Sequence, residues 1–512
     1  FPINRKDWTL EFGSYKKTIP DVTILIGGFL ILSKGDWLSF YGTNVNLFTS
    51  SSSLSNEGTT LTLRNESGKV IHSVRYLPDW YRNSLKAEGG WSLEMIDPEN
   101  PCGCEENWSA STNLLGGSPG MVNSVHHANP DQISPYLLRT SIVDNRHVKA
   151  LFSEPMDSTS ISGSEGWQVR GTEVIIDSVT WIPPDFGTLL LKLSTEIAPG
   201  HVYQLVPPVD IRDCAQNVID TTLHVQFAIP DSIAPFDIVI NEILPDPYTG
   251  GERFIEIYNR SDKIMDLKNL VILNPADSSD PVSISNDGFL FFPGDFLALT
   301  SDPGNIILHY RVPFLDRIWK MERMPGMNDE SGTLVIARKN DLTEIDRIDY
   351  SKEMQFPLLT SFQGVSLERI NPSGSSLSKG NWHSAAESSG FATPGYRNSE
   401  VVPEGIDGHE IQLIPEIFSP DNDGKDDILF INFHLDRPGF MANIAIYDDR
   451  GRVVRNLVRN EMVAPETGFS WDGITDQNRK APIGIYIVKI DFFNPDGTVK
   501  AFKKVAVVAG RY

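Results

Sequence analysis

"GGWSLEMIDP" fills residues 89–98 and "QGVSLERINP" fills residues 363–372, so the two phrases lie 274 residues apart (363 minus 89). In each, apolar and polar residues alternate: Trp91 and Leu93 with Ser92 and Glu94, then Val365 and Leu367 with Ser366 and Glu368. That is the period of a half-buried strand, and it predicts that the apolar members face a core from a late strand. The echo runs on in order. "GGFLILS" at 27–33 answers "GDFLALT" at 294–300, "NEGTTLTL" at 56–63 answers "DESGTLVI" at 329–336, and "GGSPGMVNS" at 116–124 answers "FATPGYRNS" at 391–399. Asn107 and Trp108 answer Asn381 and Trp382 at the same offset of 274. Matching segments in one order, with insertions confined to the gaps, are the signature of two copies of one domain. A catalytic loop has little reason to be duplicated, whereas a structural corner repeats with its module. The Asn-Trp pair is expected to close the end of a β-sandwich through a side-chain-to-backbone turn and a buried indole.

A chain of 512 residues is too long for one hydrophobic core; at ~100–150 residues per domain it holds roughly three to five. Hydrophobic content of 40% and aromatic content of 10% mark folded modules. The 40 Gly and 34 Pro are spread along the chain, as many short strands joined by turns require. A net charge of -23 repels phosphate backbones and excludes nucleic acid as a partner, while suiting an extracellular surface and divalent cations. The longest apolar stretch, "VTILIGGFLIL" at 22–32, is too short for a bilayer and is broken by two glycines. The chain opens on Phe1 with no signal-like segment, which predicts a processed or truncated product. Cys102, Cys104 and Cys214 are too few for a disulfide framework, and no CxxC occurs.

Near its start the second copy reads "DIVINEILPDPYTGGERFIEIYNRSDKIMDLKNLVI" at 237–272. Its NE-I-x-x-D-P opening, F-I-E-I-Y-N-R-S strand and closing T-P-G-x-x-N-S resemble the bacterial lamin-tail domain. The resemblance implies a compact immunoglobulin-like sandwich acting as a binding or architectural module of secreted proteins. The first copy aligns from Ile3–Leu10 against Met265–Ile272, and nothing in it answers residues 236–262, which carry the first two strands. A sandwich lacking two strands exposes edges. The expectation is a polypeptide extending upstream of Phe1, with those strands removed, disordered or supplied as another chain. Between the copies, "VKALFSEPMD" at 148–157 and "IRDCAQNVID" at 211–220 resemble bacterial Ig-like repeats of S-layer and adhesin-type proteins, implying a spacer sandwich. In the last hundred residues, F-S-P-D-N-D-G, F-S-W-D-G and P-I-G-I-Y-I-V resemble C-terminal Ig-like domains of secreted Bacteroidetes proteins. That family is similar to flagellar-hook-cap domains and to sorting domains of type IX secretion and gliding motility, and it implies an address outside the outer membrane.

Candidate sites are few. "GGSPG" at 116–120 matches the G-x-S-x-G nucleophile elbow, but the second copy has Thr393 where the first has Ser118, and Pro119 opposes the helix that the elbow needs. A turn is expected. His126 and His127 stand in the linker at 125–132 with Asp131 as the one close carboxylate, and a linker role is expected. Glu242, Asp246, Glu252 and Glu256 cluster at the start of the second copy, and read as solvated edge charges that block strand addition. The run from Asp421 to Asp427 (DNDGKDD) places carboxylates around a glycine, so Asp421, Asp423 and Asp427 are candidate ligands for Ca²⁺, which takes six to eight oxygens. Asn432 stands where an EF-hand has its bidentate Glu, and Lys425 puts a cation inside the loop. The other reading is an Asx-rich turn in which Lys425 neutralises its neighbours.

The sequence therefore predicts an all-β, multidomain chain of Ig-like β-sandwiches. Residues 1–127 form a lamin-tail domain lacking its first strands, 128–233 a bacterial Ig-like domain, 234–400 a complete lamin-tail domain, and 401–512 a C-terminal Ig-like sorting or anchoring domain. The expected role is a non-catalytic, secreted or outer-membrane-associated scaffold holding a surface protein, an outer-membrane complex or a glycan, with Ca²⁺ as the one candidate cofactor. The alternative is the accessory part of an exported hydrolase whose catalytic domain lies upstream.

Overall fold

The computed structural model describes residues 3–34, 44–49, 54–161, 163–277, 281–401, 410–463 and 466–510. It is built from mainly antiparallel sheets, and the chain divides into two compact units, 1–229 and 230–512. No helix among the described residues is long and apolar enough to cross a membrane. The expected boundary at 400/401 adjoins residues 402–409, which lie outside the described residues.

In the first unit, Tyr15–Thr18, Thr9–Phe12, Thr59–Arg64 and Val70–Tyr76 form one four-stranded sheet in that order. Leu93–Met95 pairs with Trp108–Ala110. Further along, Leu137–Asp144, His147–Phe152, Thr188–Leu193 and Ile176–Trp181 form a second four-stranded sheet, accompanied by Gln168–Arg170, Tyr203–Val206 and Val225–Phe227. Burial alternates along His147–Phe152, so Val148, Ala150 and Phe152 are buried, as are Leu189, Leu191, Leu205 and Phe227 on the strands that follow. A disulfide joins Cys102 to Cys214 across 112 residues, leaving Cys104 as an exposed thiol.

In the second unit, a six-stranded sheet runs Ile318–Lys320, Phe296–Thr300, Phe254–Asn259, Ile238–Leu244, Leu367–Arg369 and Trp382–Ser384. It packs on a four-stranded sheet, with Ile240, Ile257, Leu299, Ile336, Ile348 and Trp382 in the shared core. A separate core follows. There Phe433, Phe440, Trp471, Val488 and Phe492 fill the space between the three-stranded sheet around Leu429–His434 and the five-stranded sheet around Gly484–Phe493.

The duplication survives in the register. Met95 faces Trp108 and Arg369 faces Trp382; Glu94 faces Ser109 and Glu368 faces His383. Leu10 pairs with Leu63 as Ile272 pairs with Ile336, the partners that the aligned motifs require. Even the parallel contact recurs: Ile31 lies beside Asn44, and Ala298 beside Ile318. The Asn-Trp corner is the same device twice. Asn107 accepts from the Asp97 N–H and donates to the Asp97 and Asn100 carbonyls; Asn381 accepts from the Asn371 N–H and donates to the Asn371 and Ser375 carbonyls. The indole behind it is buried at Trp382 but only half-buried at Trp108. In the second unit Glu242 and Ile243 of Ile238–Leu244 pair with Leu367–Arg369. In the first, the Leu93–Met95 and Trp108–Ala110 pair has no further strand among the described residues.

Candidate functional site

Three groups of acidic side chains stand out. The first lies within the six-stranded sheet. Glu242 sits opposite both Glu256 and Glu368 on its neighbouring strands, so the three carboxylates line one face. All three are fully buried. The reading of Glu242 and Glu256 as solvated edge charges is corrected: the two adjacent strands that carry them are both interior to the sheet, and the segment 393–400 covers the carboxylates. Thr393 N–H donates to Glu242 at 2.8 Å, Gly395 N–H to Glu256 at 2.6 Å, and the Ser399 hydroxyl and Glu400 N–H to Glu368 at 2.7 and 3.0 Å. Thr393 Oγ1 lies 3.0 Å from Glu242 and 2.7 Å from Glu368. One hydroxyl has one proton, so a carboxyl of the group must carry another for both contacts to be hydrogen bonds. Glu252 lies outside the strand and accepts from the Ser301 hydroxyl; Asp246 follows the Ile238–Leu244 strand end, where its carbonyl accepts from the Gly364 N–H.

Among the described residues of the first repeat, Glu94 answers Glu368 of this trio. Glu94 accepts from the Ser118 hydroxyl at 2.5 Å and from the Ser124 N–H and hydroxyl at 2.7 Å. Ser118 is thus the counterpart of Thr393, a hydroxyl that fastens a covering turn to a buried carboxylate. His126 Nδ1 meets the Ile96 carbonyl, and His127 is exposed.

Burial raises the carboxyls of the trio, with Glu368 adding to Glu242 and Glu242 to Glu256. Glu242 is pushed up to about 8 and Glu256 well above its usual value, while Glu368 is raised despite its donors. At Glu94 burial also acts upward, but the donors from Ser118, Ser124 and Ser111 outweigh it and leave the carboxyl lowered. A raised folded-state pKa means that the folded form binds the proton more tightly. The stability contribution is therefore full below the unfolded value, about 4.5, and is lost as pH rises through about 8 at Glu242. In chelator, the melting temperature of the second unit is expected to fall between about pH 5 and pH 8. Glu242→Gln should flatten that slope; an unchanged slope in the variant would refute the assignment.

The second group was not foreseen. Asp131, Glu154 and Asp213, from three separate loops of the first unit, bring one carboxylate oxygen each within 4.8 Å of one another. Burial, then Asp131, pushes Glu154 up to about 8. Asp213 is tied to Asn217 through its N–H and side-chain amide, both at 2.8 Å. No sequence signal marks the trio, because its members are far apart in the chain.

The third group is the predicted one. Asp421, Asp423 and Asp427 also bring one oxygen each within 4.8 Å. Left-handed conformations at Asn422, Gly424 and Asp426 (φ of 61°, 83° and 56°) curl the loop tightly. Asp427 organises it by accepting from the N–H groups of Asp421, Asn422 and Gly424. Asn432 lies away from the loop, on a strand where its side chain meets Gly468. Lys425 is exposed and forms no ion pair among the described residues.

The loop does not stand free. The Glu387 N–H donates to the Asn422 carbonyl at 3.0 Å, and Asn422 Nδ2 donates to the Ala385 carbonyl at 3.2 Å. A Cβ on Gly424 would collide with the Ser388 hydroxyl. Glu400, at the end of the covering segment, reaches the same place. It is 5% exposed, and its carboxylate lies within hydrogen-bonding reach of Asp427. Burial, then Asp427, pushes Glu400 up to about 10. Glu400 carried no motif and was missed by sequence reading.

The C-terminal sandwich matches a family model at residues 412–505, the CHU_C type IX secretion signal domain. A domain of this kind addresses the chain through the type IX route to the cell surface or the medium. No match is found among curated proteins. Among solved structures, the N-terminal part of the bacterial S-layer protein SbsC is 13% identical, with a TM-score of 0.20 over 43% of this chain and 44% of that one. The chain thus spans less than half of that relative's length. PorZ, a surface component of the type IX system of Porphyromonas gingivalis, is 11% identical, with a TM-score of 0.15 over 88% of this chain and 56% of that one. PorU from the same organism is 11% identical, with a TM-score of 0.17 over 74% and 33%.

Proposed function

We propose that this chain is a non-catalytic surface scaffold exported by the type IX route, whose upstream sandwiches hold a surface protein, an outer-membrane complex or a glycan. In this reading the order is a lamin-tail module lacking its first strands (1–127), an Ig-like spacer (128–233), a complete lamin-tail module (234–400) and the sorting sandwich (401–512). The observation that carries it is the C-terminal match at 412–505 on a chain made of sandwiches. The one nucleophile motif supports it further, because Ser118 is spent on Glu94 and its counterpart Thr393 on Glu368. Purified chain should cosediment saturably with outer membranes of a type IX-secreting bacterium, while esterase, glycosidase, protease and nuclease substrates are turned over at background rates. Turnover that disappears in Ser118→Ala would overturn the proposal, as would the absence of cosedimentation.

A further inference from the structure

We infer that Glu400, Asp421, Asp423 and Asp427 form a Ca²⁺ site that pins the end of the second repeat to the acidic loop of the C-terminal sandwich. Two independent observations meet here. The loop brings three carboxylates within 4.8 Å of one another. From the other module comes a side chain that the loop sequence does not contain: Glu400, 95% buried, whose Oε1 has no hydrogen-bond partner and which lies in reach of Asp427.

Carboxylates offer acceptors only, so two of them in contact need a proton or a cation between them. No Lys or Arg ion-pairs with Glu400 or Asp427 among the described residues, and Lys425, the one cation of the loop, points to solvent. Oxygen-only donors without His or Cys select a hard cation. Loop-borne carboxylates in irregular geometry, with carbonyls close by, suit the larger and more tolerant Ca²⁺ over Mg²⁺. Asp427 keeps lone pairs for the ion: its Oδ2 accepts one N–H, from Gly424, and can still turn a second lone pair outward.

The placement gives the ion a mechanical role. Glu400 directly follows Ser399, which holds Glu368 in the buried trio, and its own N–H is bonded to Glu368. Gly424 presses on the 386–388 turn, and Ile370 shares an apolar cluster with Ile428 and Phe430. An ion bridging Glu400 to the loop would therefore fix two modules already in contact. Calcium would make that joint rigid at the concentrations met outside a cell, where modules of this kind bind at roughly 10⁻⁴–10⁻³ M.

The test is calcium titration of the full chain by calorimetry and thermal melting. The expected result is saturable binding and a higher melting temperature for the second unit, reversed by chelator. Glu400→Gln and Asp423→Asn should each weaken the affinity about tenfold or more, since ligand charge sets it. Both avoid Asp427, whose loss could unfold the loop. Glu154→Gln, at the acidic trio of the first unit, should leave this shift unchanged. The assignment is overturned by no shift in the unaltered chain, by a shift that survives both substitutions, by one that depends on Glu154 instead, or by an equal shift with magnesium.

Discussion

Replacing Arg369 by Met is expected to destabilise the second unit by about 3–5 kcal/mol, the usual cost of stripping one partner from a buried ion pair. Arg369 and Asp346 are both fully buried, with Nη1 to Oδ2 at 2.8 Å. Nη1 also donates to the Ile240 carbonyl and Nη2 to the Gly374 carbonyl, while Asp346 accepts from the Ser376 hydroxyl and the Ile240 N–H. Desolvation lowers the guanidinium pKa, and Asp346 opposes that effect. Removing the cation leaves a buried carboxylate with hydrogen bonds but no counter-charge. The first repeat shows the complementary solution: register puts Met95 in the place of Arg369 and His72 in the place of Asp346. Both charges are absent there together. Arg369→Met combined with Asp346→Asn should therefore recover part of the loss, a positive coupling readable in urea melts. Strict additivity of the two changes would show that the pair is not the unit of stability.

Loss of the Cys102–Cys214 disulfide should be nearly as costly for the first unit. The bond closes a loop of 112 residues, and the chain-entropy account places its value near 4.7 kcal/mol, with about 2–5 kcal/mol the range seen on removing native bridges. Cys102→Ser, or thiol reductant, is expected to lower the melting temperature of the first unit, and Cys104→Ser to leave it unchanged. A bridge of this kind persists in oxidising surroundings, in keeping with an address outside the cytoplasm. Equal melting curves with and without reductant would contradict the assignment.

Much of the fold was legible because register is written in alternation. The phrases around Glu94 and Glu368 predicted a repeated strand, found at Leu93–Met95 and Leu367–Arg369, but in the first of them Leu93 is half-buried and Glu94 is the buried member. What alternation cannot tell is what covers the polar face. Glu242, Glu256 and Glu368 look like solvent-facing charges until the segment at 393–400, remote in sequence from Glu242, folds across them. The same limit hid Glu400. The acidic loop from Asp421 to Asp427 is dense enough to notice, but its fourth carboxylate comes from another module and has no motif of its own. The disulfide was hidden for a related reason: three cysteines without a spacing pattern define no pairing, and only the packing of two loops brings Cys102 to Cys214.

The most direct test of the surface-scaffold account is protease shaving of intact cells of a type IX-competent bacterium expressing either the full chain or a chain ending before residue 410. The account predicts that the full chain is cleaved from outside, while the shortened chain is retained and protected behind the outer membrane. A shortened chain that reaches the surface as efficiently as the full one would contradict it.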